Sequence, residues 1–347
     1  MESRICLLLP VTCNPQPGNC TPSSEPCTLF SPVRKPLAYA AIYILWGGSF
    51  LAIREVVSVL PPFFAAGFRF LVAGLILILW SRFTGSFELT ARQFLNATLL
   101  GFIMFACLYA GLFWAEMRIP SGVAALVSAL IPLWIYAGEV LLLRTQRLTL
   151  LSFTGIAVGF AGVALLALNF GHHQVHLHGY ATAILVTVAG TLCWGIGTIL
   201  SRRLSLPSPQ KLNAGWQMYT GGFFLMIAAF ATGERNLLPA ASLMLSPRVL
   251  FSMAYLIVAA SIVAYTSYVW LIAHDSPTRV SSYAYVNPVI ALLLGAALAG
   301  EHLSHRQAAG AVLVVAGVVA TLMGKRSPRP KDEDPRPQRK TSTAGMT

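Results

Sequence analysis

The sequence predicts an all-α membrane protein in which ten transmembrane helices form two inverted five-helix repeats. Three observations support this fold class. Apolar residues make up 56% of the 347 residues and charged residues only 10%, whereas a soluble chain carries roughly 25% charge. Ten apolar stretches are each long enough to cross about 30 Å of hydrocarbon as a helix. Finally, the second half of the chain repeats landmarks of the first.

The ten stretches are predicted to be helices and not strands of a barrel. Runs such as 71–80 and 312–320 are almost continuously apolar, whereas the strands of a membrane barrel alternate apolar and polar residues. The predicted spans are 37–53, 61–80, 97–115, 121–143, 150–168, 180–200, 214–232, 249–272, 280–299 and 305–323.

Matching residues define an internal repeat. The matched pairs are Trp46 with Trp194, Trp114 with Trp270, Pro132 with Pro288, Gly155 with Gly310, and Gly162 with Gly317. Each repeat holds five spans, an odd number, so the second repeat must cross the bilayer in the opposite sense to the first. Inverted repeats are typical of secondary transporters, whose substrate site lies near the midplane where the halves meet.

Lys and Arg are distributed unequally between the two sides of this topology. Eighteen lie in the N-terminal segment, the even-numbered loops and the C-terminal segment, and five lie in the other loops. The positive-inside rule therefore predicts that both termini are cytoplasmic. It also accounts for the net charge of +12 without a nucleic-acid partner. The expected partners are the lipid bilayer and a small-molecule substrate, with the chain a monomer or a homodimer.

The same pattern predicts the boundaries of the domains. They are a disordered cytoplasmic N-terminal extension (1–36), repeat 1 (37–168), an inter-repeat loop (169–179), repeat 2 (180–324) and a disordered basic cytoplasmic tail (325–347). The tail is charged and rich in proline, which is typical of disordered segments.

Two groups of potential metal ligands were weighed. The N-terminal extension contains four cysteines, Cys6, Cys13, Cys20 and Cys27. The inter-repeat loop contains four histidines, His172, His173, His176 and His178. The cysteines lack the paired spacing of a metal site. The histidines could bind a transition metal, but no carboxylate or cysteine stands beside them, and a polar linker explains them equally. We predict no metal site and no cofactor.

Several short motifs in the right order resemble a known family. They are Trp46-Gly47-Gly48-Ser49-Phe50, Pro61-Pro62-x4-Gly67-Phe68-Arg69-Phe70, Ser281-Ser282-x4-Asn287-Pro288 and Gly300-Glu301-His302-Leu303. With them the chain resembles the EamA-domain family of the drug/metabolite transporter superfamily, with two EamA repeats. The resemblance implies a bacterial-type inner-membrane carrier, often an exporter of amino acids, related metabolites or amphipathic compounds.

Polar and aromatic side chains inside the spans are the candidates for a substrate site. An unpaired polar group in hydrocarbon is costly, and a cavity with aromatic walls and a few polar groups suits an amphipathic solute. Packing in an ordinary core is the alternative for each residue alone. The predicted substrate-binding residues are Trp46, Phe50, Arg69, Trp194, Gln217, Tyr265, Tyr268, Tyr283 and Asn287.

Charges within a span have a functional interpretation by default because burying them in hydrocarbon is costly. Arg69 could bind a substrate carboxylate in a bidentate manner. Alternatively it pairs with Glu55, Glu116 or Glu139 and holds two helices together. Glu139, interpreted as the only carboxylate well inside a span, is the candidate for proton coupling.

Pro132 and Pro288 lie at matched positions of the fourth and ninth spans. Each removes a helical hydrogen bond, and matched interruptions of this kind point to a transport site. We therefore predict that both are hinges, with a static kink as the alternative.

Two other function classes remain as alternatives. A carrier of nucleotide sugars or phosphorylated sugars would need several cavity cations for phosphate, and Arg69 is the only cation well inside a predicted span. A membrane enzyme would need an acidic pair, a Ser/His/Asp set or a metal motif near a membrane surface, and none is apparent. The sequence therefore predicts a carrier and not an enzyme.

Overall fold

The computed structural model describes residues 31–85, 87–143, 147–167, 177–275, 277–300 and 305–324, in which every regular element is a helix. The helices of the first half are α1 (Ser31–Val57), α2 (Pro62–Phe83), α3 (Ala91–Leu100), α4 (Leu108–Glu116), α5 (Ser121–Ser128), α6 (Ile131–Leu141) and α7 (Leu150–Ala167). Those of the second half are α8 (Leu177–Ser201), α9 (Gln210–Ala231), α10 (Ala241–Met244), α11 (Pro247–Tyr255), α12 (Ala264–His274), α13 (Pro277–Val280), α14 (Tyr283–Ala299) and α15 (His305–Met323).

Two π-helical segments and a short 3-10 helix (Glu234–Leu237) complete the elements of the described residues. The first π segment, Gly101–Cys107, joins α3 to α4, and the second, Leu256–Val263, joins α11 to α12. They occur in the third span of each repeat, so the two repeats share a helix irregularity that was not predicted from the sequence. Such π segments are frequent at functional sites.

Among the described residues, six helical stretches are long and apolar enough to cross a membrane. They are Arg34–Val57, Pro62–Phe83, Ala91–Glu116, Ser121–Leu141, Gly179–Ser201 and Pro247–His274. Three shorter apolar helices and α9 occupy the places of the remaining predicted spans. The all-helical membrane fold is thus confirmed, while the count of ten crossings stays a prediction.

Local chemistry sets several helix boundaries. Pro62 and Pro247 begin α2 and α11, where the missing N–H would have no helical partner. The carboxylate of Glu234, in a short 3-10 turn after α9, accepts hydrogen bonds from the backbone N–H groups of Phe63 (3.2 Å) and Phe64 (2.7 Å). A negative charge is favourable at a helix N-terminus, so this contact fixes the start of α2 against the end of α9.

Glycines let two pairs of helices cross closely, each pair made of one helix from each repeat. In the crossing of α7 and α15, a Cβ atom at Gly155 would lie 2.7 Å from the carbonyl oxygen of Gly317, and one at Gly162 would lie 2.8 Å from that of Gly310. No side chain fits in that space, so the two backbones touch. Small residues at such contacts are typical of membrane helix pairs.

The crossing of α2 and α9 has the same construction. A Cβ atom at Gly74 would lie 2.7 Å from the carbonyl oxygen of Gly215, and one at Gly222 would lie 2.9 Å from that of Gly67. In both crossings the two helices run antiparallel. In the internal repeat, Gly67 and Gly74 are equivalent to Gly215 and Gly222, as Gly155 and Gly162 are to Gly310 and Gly317. Exchanging the two repeats therefore turns each glycine contact into the other contact of the same crossing. The two repeats are therefore related by an approximate two-fold axis perpendicular to these helices, as inverted repeats require.

The remaining contacts follow the same symmetry. α1 packs chiefly on α14 and α12, and its counterpart α8 packs on α6 and α4. The central layer of the bundle is thus formed by α1 and α8, each against the later helices of the opposite repeat.

The two predicted hinges differ in structure. The fourth span breaks at Ala129–Leu130, and Pro132 lies in the first turn of the helix that follows. In the ninth span the break comes earlier, at Ser281–Ser282, and Pro288 lies inside the continuous helix α14. A matched interruption at the two prolines is therefore not observed, because a single missing hydrogen bond need not end a helix when its neighbours support it.

Several predicted segments fall outside the described residues. α1 begins at Ser31, within the residues assigned to the N-terminal extension, whereas the four N-terminal cysteines and residues 325–347 are not described. The same holds for His172, His173 and His176, and for the side chain of His178.

Candidate substrate-binding site

Four aromatic residues that the sequence singled out meet at the centre of the bundle. The repeat mates Trp46 on α1 and Trp194 on α8 face each other, with ring centroids 5.9 Å apart and planes at 86°. The ring of Tyr268 lies 5.3 Å from Trp46 and 5.6 Å from Trp194. Tyr283 on α14 lies 4.9 Å from Trp46. Edge-to-face contacts of this kind hold aromatic rings in fixed orientations.

A central cavity of about 50 Å³ lies beside this cluster. Its walls come from α1, α4, α5, α8 and α14, so both repeats contribute to it. The residues with aromatic or polar side chains that line it are Trp46, Ser49, Phe50, Tyr109, Ser128, Trp194, Tyr283 and Asn287. Five predicted site residues are among them. The cavity also borders both irregular places near the prolines, through Ala129 and Ile131 in one repeat and Ala284 in the other.

Two polar groups on this cavity are only weakly satisfied. The indole nitrogen of Trp194 and the hydroxyl of Tyr283 are buried without a hydrogen bond of regular geometry to the described residues, and they interact with each other. By contrast, the indole N–H of Trp46 donates to the carbonyl oxygen of Ala260 at 3.0 Å, inside the second π segment. A buried polar group without a partner costs about 1–3 kcal/mol. Trp194 and Tyr283 are therefore the groups on the cavity wall that retain hydrogen-bonding capacity.

Asn287 combines a place on the cavity with a structural role. With its amide nitrogen turned toward the neighbouring carbonyls, it donates to the backbone oxygens of Tyr43 at 2.9 Å and Tyr283 at 3.2 Å. The bond to Tyr43 links α14 to α1, and the bond to Tyr283 lies within α14. The amide nitrogen is thus engaged within the protein, and the side chain acts on a solute chiefly through its position in the wall.

A second, larger cavity of about 350 Å³ approaches the aromatic cluster from one end of the bundle. We call it the vestibule. Its inner end is formed by Gln217, Tyr265 and Tyr268, and its outer end includes the exposed residues Arg202 and Ser208. The vestibule therefore reaches the surface at the end of the bundle that carries Arg34, Arg82 and Lys211, which we call the Arg34 face.

Hydrogen bonds order the inner end of the vestibule. The hydroxyl of Tyr265 donates to Oε1 of Gln217 at 2.6 Å, and Nε2 of Gln217 donates to Oδ1 of Asn213 at 2.6 Å. The hydroxyls of Tyr268 and Thr198 lie 2.9 Å apart. Because Tyr268 also touches Trp46 and Trp194, this group of rings separates the vestibule from the central cavity.

Arg69 is buried but is not among the residues that line either cavity. Its Nε donates to Oγ of Ser261 in the second π segment at 2.9 Å. The guanidinium lies 4.6 Å from the ring centroid of Phe70 and 5.2 Å from that of Tyr109, and Glu116 attracts it electrostatically. Its Nη1 has no hydrogen-bond partner in the described chain. This geometry favours the interpretation in which Arg69 connects helices.

The sequence analysis missed several central residues. Glu116, 1% exposed, lies at the end of α4, one residue beyond the predicted span, so Glu139 is not the only buried carboxylate. Tyr109 lines the central cavity and stands five residues before Trp114, as Tyr265 stands five before Trp270. Extending the repeat alignment by five residues would have found it. Glu139 is buried in α6, away from the residues that line the two cavities.

The opposite end of the bundle, the Arg118 face, carries Arg54, Arg118 and Arg248. Nη1 of Arg54 donates to the carbonyl oxygens of Glu116 and Ile119, each at 2.8 Å. Nη2 of Arg248 donates to Oε1 of Glu55 at 2.6 Å. The end of α1 is thereby tied both to the connection between α4 and α5 and to the start of α11, across the two repeats.

Comparison with known proteins identifies the family to which this architecture corresponds. The profile of the EamA-like transporter family matches residues 36–168 and 181–323. The uncharacterized inner membrane transporter YedA of Escherichia coli (strain K12) is 35% identical over 291 residues, which cover 83% of this chain and 90% of that protein. A probable amino-acid metabolite efflux pump of Salmonella typhimurium is 26% identical over 297 residues, which cover 82% of this chain and 93% of the pump.

A solved crystal structure supports the fold alone. It matches with a TM-score of 0.59 at 21% identity, covering 84% of this chain and 98% of the other. Among the described residues, no group of three or more His, Cys, Asp or Glu side chains could hold a metal ion. The family match spans most of the sequence and includes both repeats, and the chain is therefore a membrane transporter, not an enzyme, that belongs to the EamA-like transporter family.

Proposed function

We propose that this transporter exports small amphipathic metabolites, such as amino acids or related compounds, across the inner membrane by alternating access. The observation that carries the proposal is the central cavity between the two repeats, with aromatic walls and two polar groups, Trp194 Nε1 and Tyr283 OH, that make no hydrogen bond of regular geometry to the described residues. The chemistry of this lining suits a solute with an apolar body and a hydrogen-bonding end, and a cavity of about 50 Å³ must widen before such a solute enters it. The relative named as a probable amino-acid metabolite efflux pump supports the same substrate class and direction.

The charge of the side chains that line the two cavities restricts the class of substrate further. Among the described residues that line them, Arg202 at the outer end of the vestibule is the only charged side chain. A nucleotide sugar or phosphorylated sugar would bring at least one phosphate, which needs several positive partners. The lining therefore favours a neutral or zwitterionic solute that a single cation at the entrance attracts.

The direction of opening supports alternating access. The vestibule reaches the Arg34 face, and the contacts of Arg54 and Glu55 hold α1 at the Arg118 face. The excess of Lys and Arg on the Arg34 face predicts that this face is cytoplasmic. The structure then corresponds to a state open to the cytoplasm. In the opposite state the contacts of Arg54 and Glu55 would break, and the inverted symmetry makes the two states similar in energy.

The site residues have distinct proposed roles. Trp46, Phe50, Trp194, Tyr283 and Asn287 surround the substrate. Gln217, Tyr265 and Tyr268 line the passage through which the substrate moves from the vestibule to the central cavity. Arg69 positions α2 against the second π segment. Pro132 and Pro288 remain the proposed hinges, and Glu139 keeps its proposed role in proton coupling, which neither cavity supports directly.

The test compares two tryptophans that differ chiefly in their position. The indole nitrogens of Trp194 and Trp216 are both buried without a hydrogen bond of regular geometry to the described residues, but only Trp194 lines the central cavity. Metabolites inside and outside cells are measured with the wild type, Trp194→Phe, Trp216→Phe and no transporter. Loss of one hydrogen bond to the solute should lower export about fivefold to tenfold in Trp194→Phe, while Trp216→Phe exports like the wild type. Equal export by both variants, or no change in any metabolite on removal of the transporter, would contradict the proposal.

A further inference from the structure

A third cavity lies on the outside of the bundle, next to the vestibule. It has a volume of about 870 Å³ and runs between α1, α2, α9 and α12 at the Arg34 face. We call it the lateral groove and define it by Arg34, Leu37, Trp80, Lys211 and Val263. Leu37, Trp80 and Val263 are 63%, 53% and 43% exposed. Large apolar side chains so exposed on a membrane protein face lipid, so the groove opens sideways into the bilayer.

The groove is mainly apolar and is cationic at its mouth. Its inner wall includes Ala38, Ala41 and Leu77, which leave room for a flexible hydrocarbon chain. Arg34 and Lys211 stand near the ends of their helices, where the membrane surface lies. Among the described residues that line the groove, none is Asp or Glu.

The two cations at the mouth are available to an anion. Lys211 donates from Nζ to Oγ1 of Thr84 at 2.5 Å and lies 5.6 Å from the ring centroid of Trp80. These contacts hold the ammonium at the mouth without neutralising it. The neighbouring Lys35 differs, because it pairs with Asp275 at 3.4 Å. Arg34 and Lys211 have no carboxylate partner in the part of the chain that the structure describes.

We propose that the lateral groove binds an anionic phospholipid, with the phosphate on Arg34 and Lys211 and an acyl chain along the apolar wall. Lys and Arg at the membrane surface attract anionic headgroups, and Trp rings such as those of Trp80 and Trp270 favour the same depth. The inference stands on the groove alone and does not depend on the proposed substrate.

The bound lipid would also act on the transport path. Ser208 and Gln210 line both the lateral groove and the vestibule. On α12, Thr266 and Ser267 border the groove, whereas Tyr265 and Tyr268 border the vestibule. A lipid in the groove therefore supports the outer side of the vestibule wall and stabilises the conformation that is open at the Arg34 face.

The experiment measures lipid retention by the purified full-length chain in detergent, using native mass spectrometry. The probes are phosphatidylglycerol and phosphatidylcholine with identical acyl chains. The variants are Arg34→Gln with Lys211→Gln, and a matched control, Arg82→Gln with Arg92→Gln, which removes two exposed cations of the same face outside the groove. A third variant, Ala41→Phe, fills the apolar wall.

The wild type should retain phosphatidylglycerol in preference to phosphatidylcholine. Each groove cation contributes about fivefold, so the Arg34/Lys211 variant should weaken phosphatidylglycerol binding roughly 30-fold and leave phosphatidylcholine unchanged. The control pair should bind like the wild type, and Ala41→Phe should lower retention of both lipids. Unchanged phosphatidylglycerol binding by the Arg34/Lys211 variant, or equal weakening by the control pair, would overturn the proposal, as would full retention of both lipids by Ala41→Phe.

Discussion

At the two helix crossings, equivalent positions of the two repeats carry the same residue, glycine. At the centre of the bundle, equivalent positions also lie in equivalent places, but they carry different residues. Gly67 and Gly74 on α2 meet Gly222 and Gly215 on α9, so both partners of each contact are glycine. At the centre, Arg69 stands two residues after Gly67, and its counterpart two residues after Gly215 is Gln217.

The same contrast appears around these two residues. Arg69 contacts the ring of Tyr109, and Gln217 accepts a hydrogen bond from Tyr265, the counterpart of Tyr109. The geometry of the pair is therefore retained while its chemistry differs. A crossing that serves both conformations of a carrier has to be equal in the two repeats, because exchange of the repeats exchanges the conformations. A site that recognises one solute has no such constraint.

The largest effect is expected at the crossings. Gly155→Val and Gly74→Val would place side chains within 2.5 Å of the backbone nitrogens of Thr321 and Tyr219. Overpacking against backbone should cost about 3 kcal/mol or more in each variant. Size-exclusion chromatography and thermal unfolding in detergent should show a similar loss of folded protein for both. Gly179→Val is the control, because nothing lies within 4 Å of a Cβ atom there. A large loss in only one of the two crossings would contradict an equal scaffold.

An intermediate effect is expected for Arg69→Gln, which makes the two centres alike. The change removes the bond to Ser261 and one positive charge that interacts with buried Glu116. We expect a loss of about 2 kcal/mol in the free energy of unfolding, because a buried charge in contact with other helices is removed. Adding Glu116→Gln should recover part of it, and a double-mutant cycle measures the coupling. Strictly additive losses would show that Arg69 and Glu116 act separately.

The smallest effect is expected from the matched tyrosines. Tyr265→Phe removes the donor to Gln217 and leaves its amide oxygen buried, at a cost of about 1 kcal/mol. Tyr109→Phe removes a hydroxyl that makes no hydrogen bond within the described residues, so its cost should stay under about 0.5 kcal/mol. Thermal unfolding of the two variants side by side gives the difference. Equal shifts would mean that the two positions are more alike than the structure indicates.

Much of this arrangement was predictable because equivalent residues of an internal repeat occupy equivalent places in the fold. Trp46 and Trp194 were paired from the sequence, and they meet face to edge at the centre. Hydropathy and repeated motifs are strong signals over long stretches, so the helical membrane fold and the family followed from them. Five of the predicted site residues line the central cavity, and Gln217, Tyr265 and Tyr268 line the vestibule.

The features that were missed depend on contacts distant in the sequence. The burial of Glu116 is a matter of one residue at a helix end, and such ends are the least certain part of a sequence-based prediction. The π segments and the continuous helix through Pro288 depend on which neighbours accept or donate hydrogen bonds. Arg69 was correctly recognised as unusual, but only the position of Ser261 on the opposite repeat shows where its guanidinium points.

The second π segment has one more consequence. In a π turn one extra residue is wound into the helix, and reverting to α-helical register would rotate the residues beyond it by about 100°. Such a slip within Leu256–Val263 would turn Tyr265 and Tyr268 away from Gln217 and Thr198 while the start of α11 stayed in place. One residue of winding would then be enough to open or shut the way between the vestibule and the central cavity.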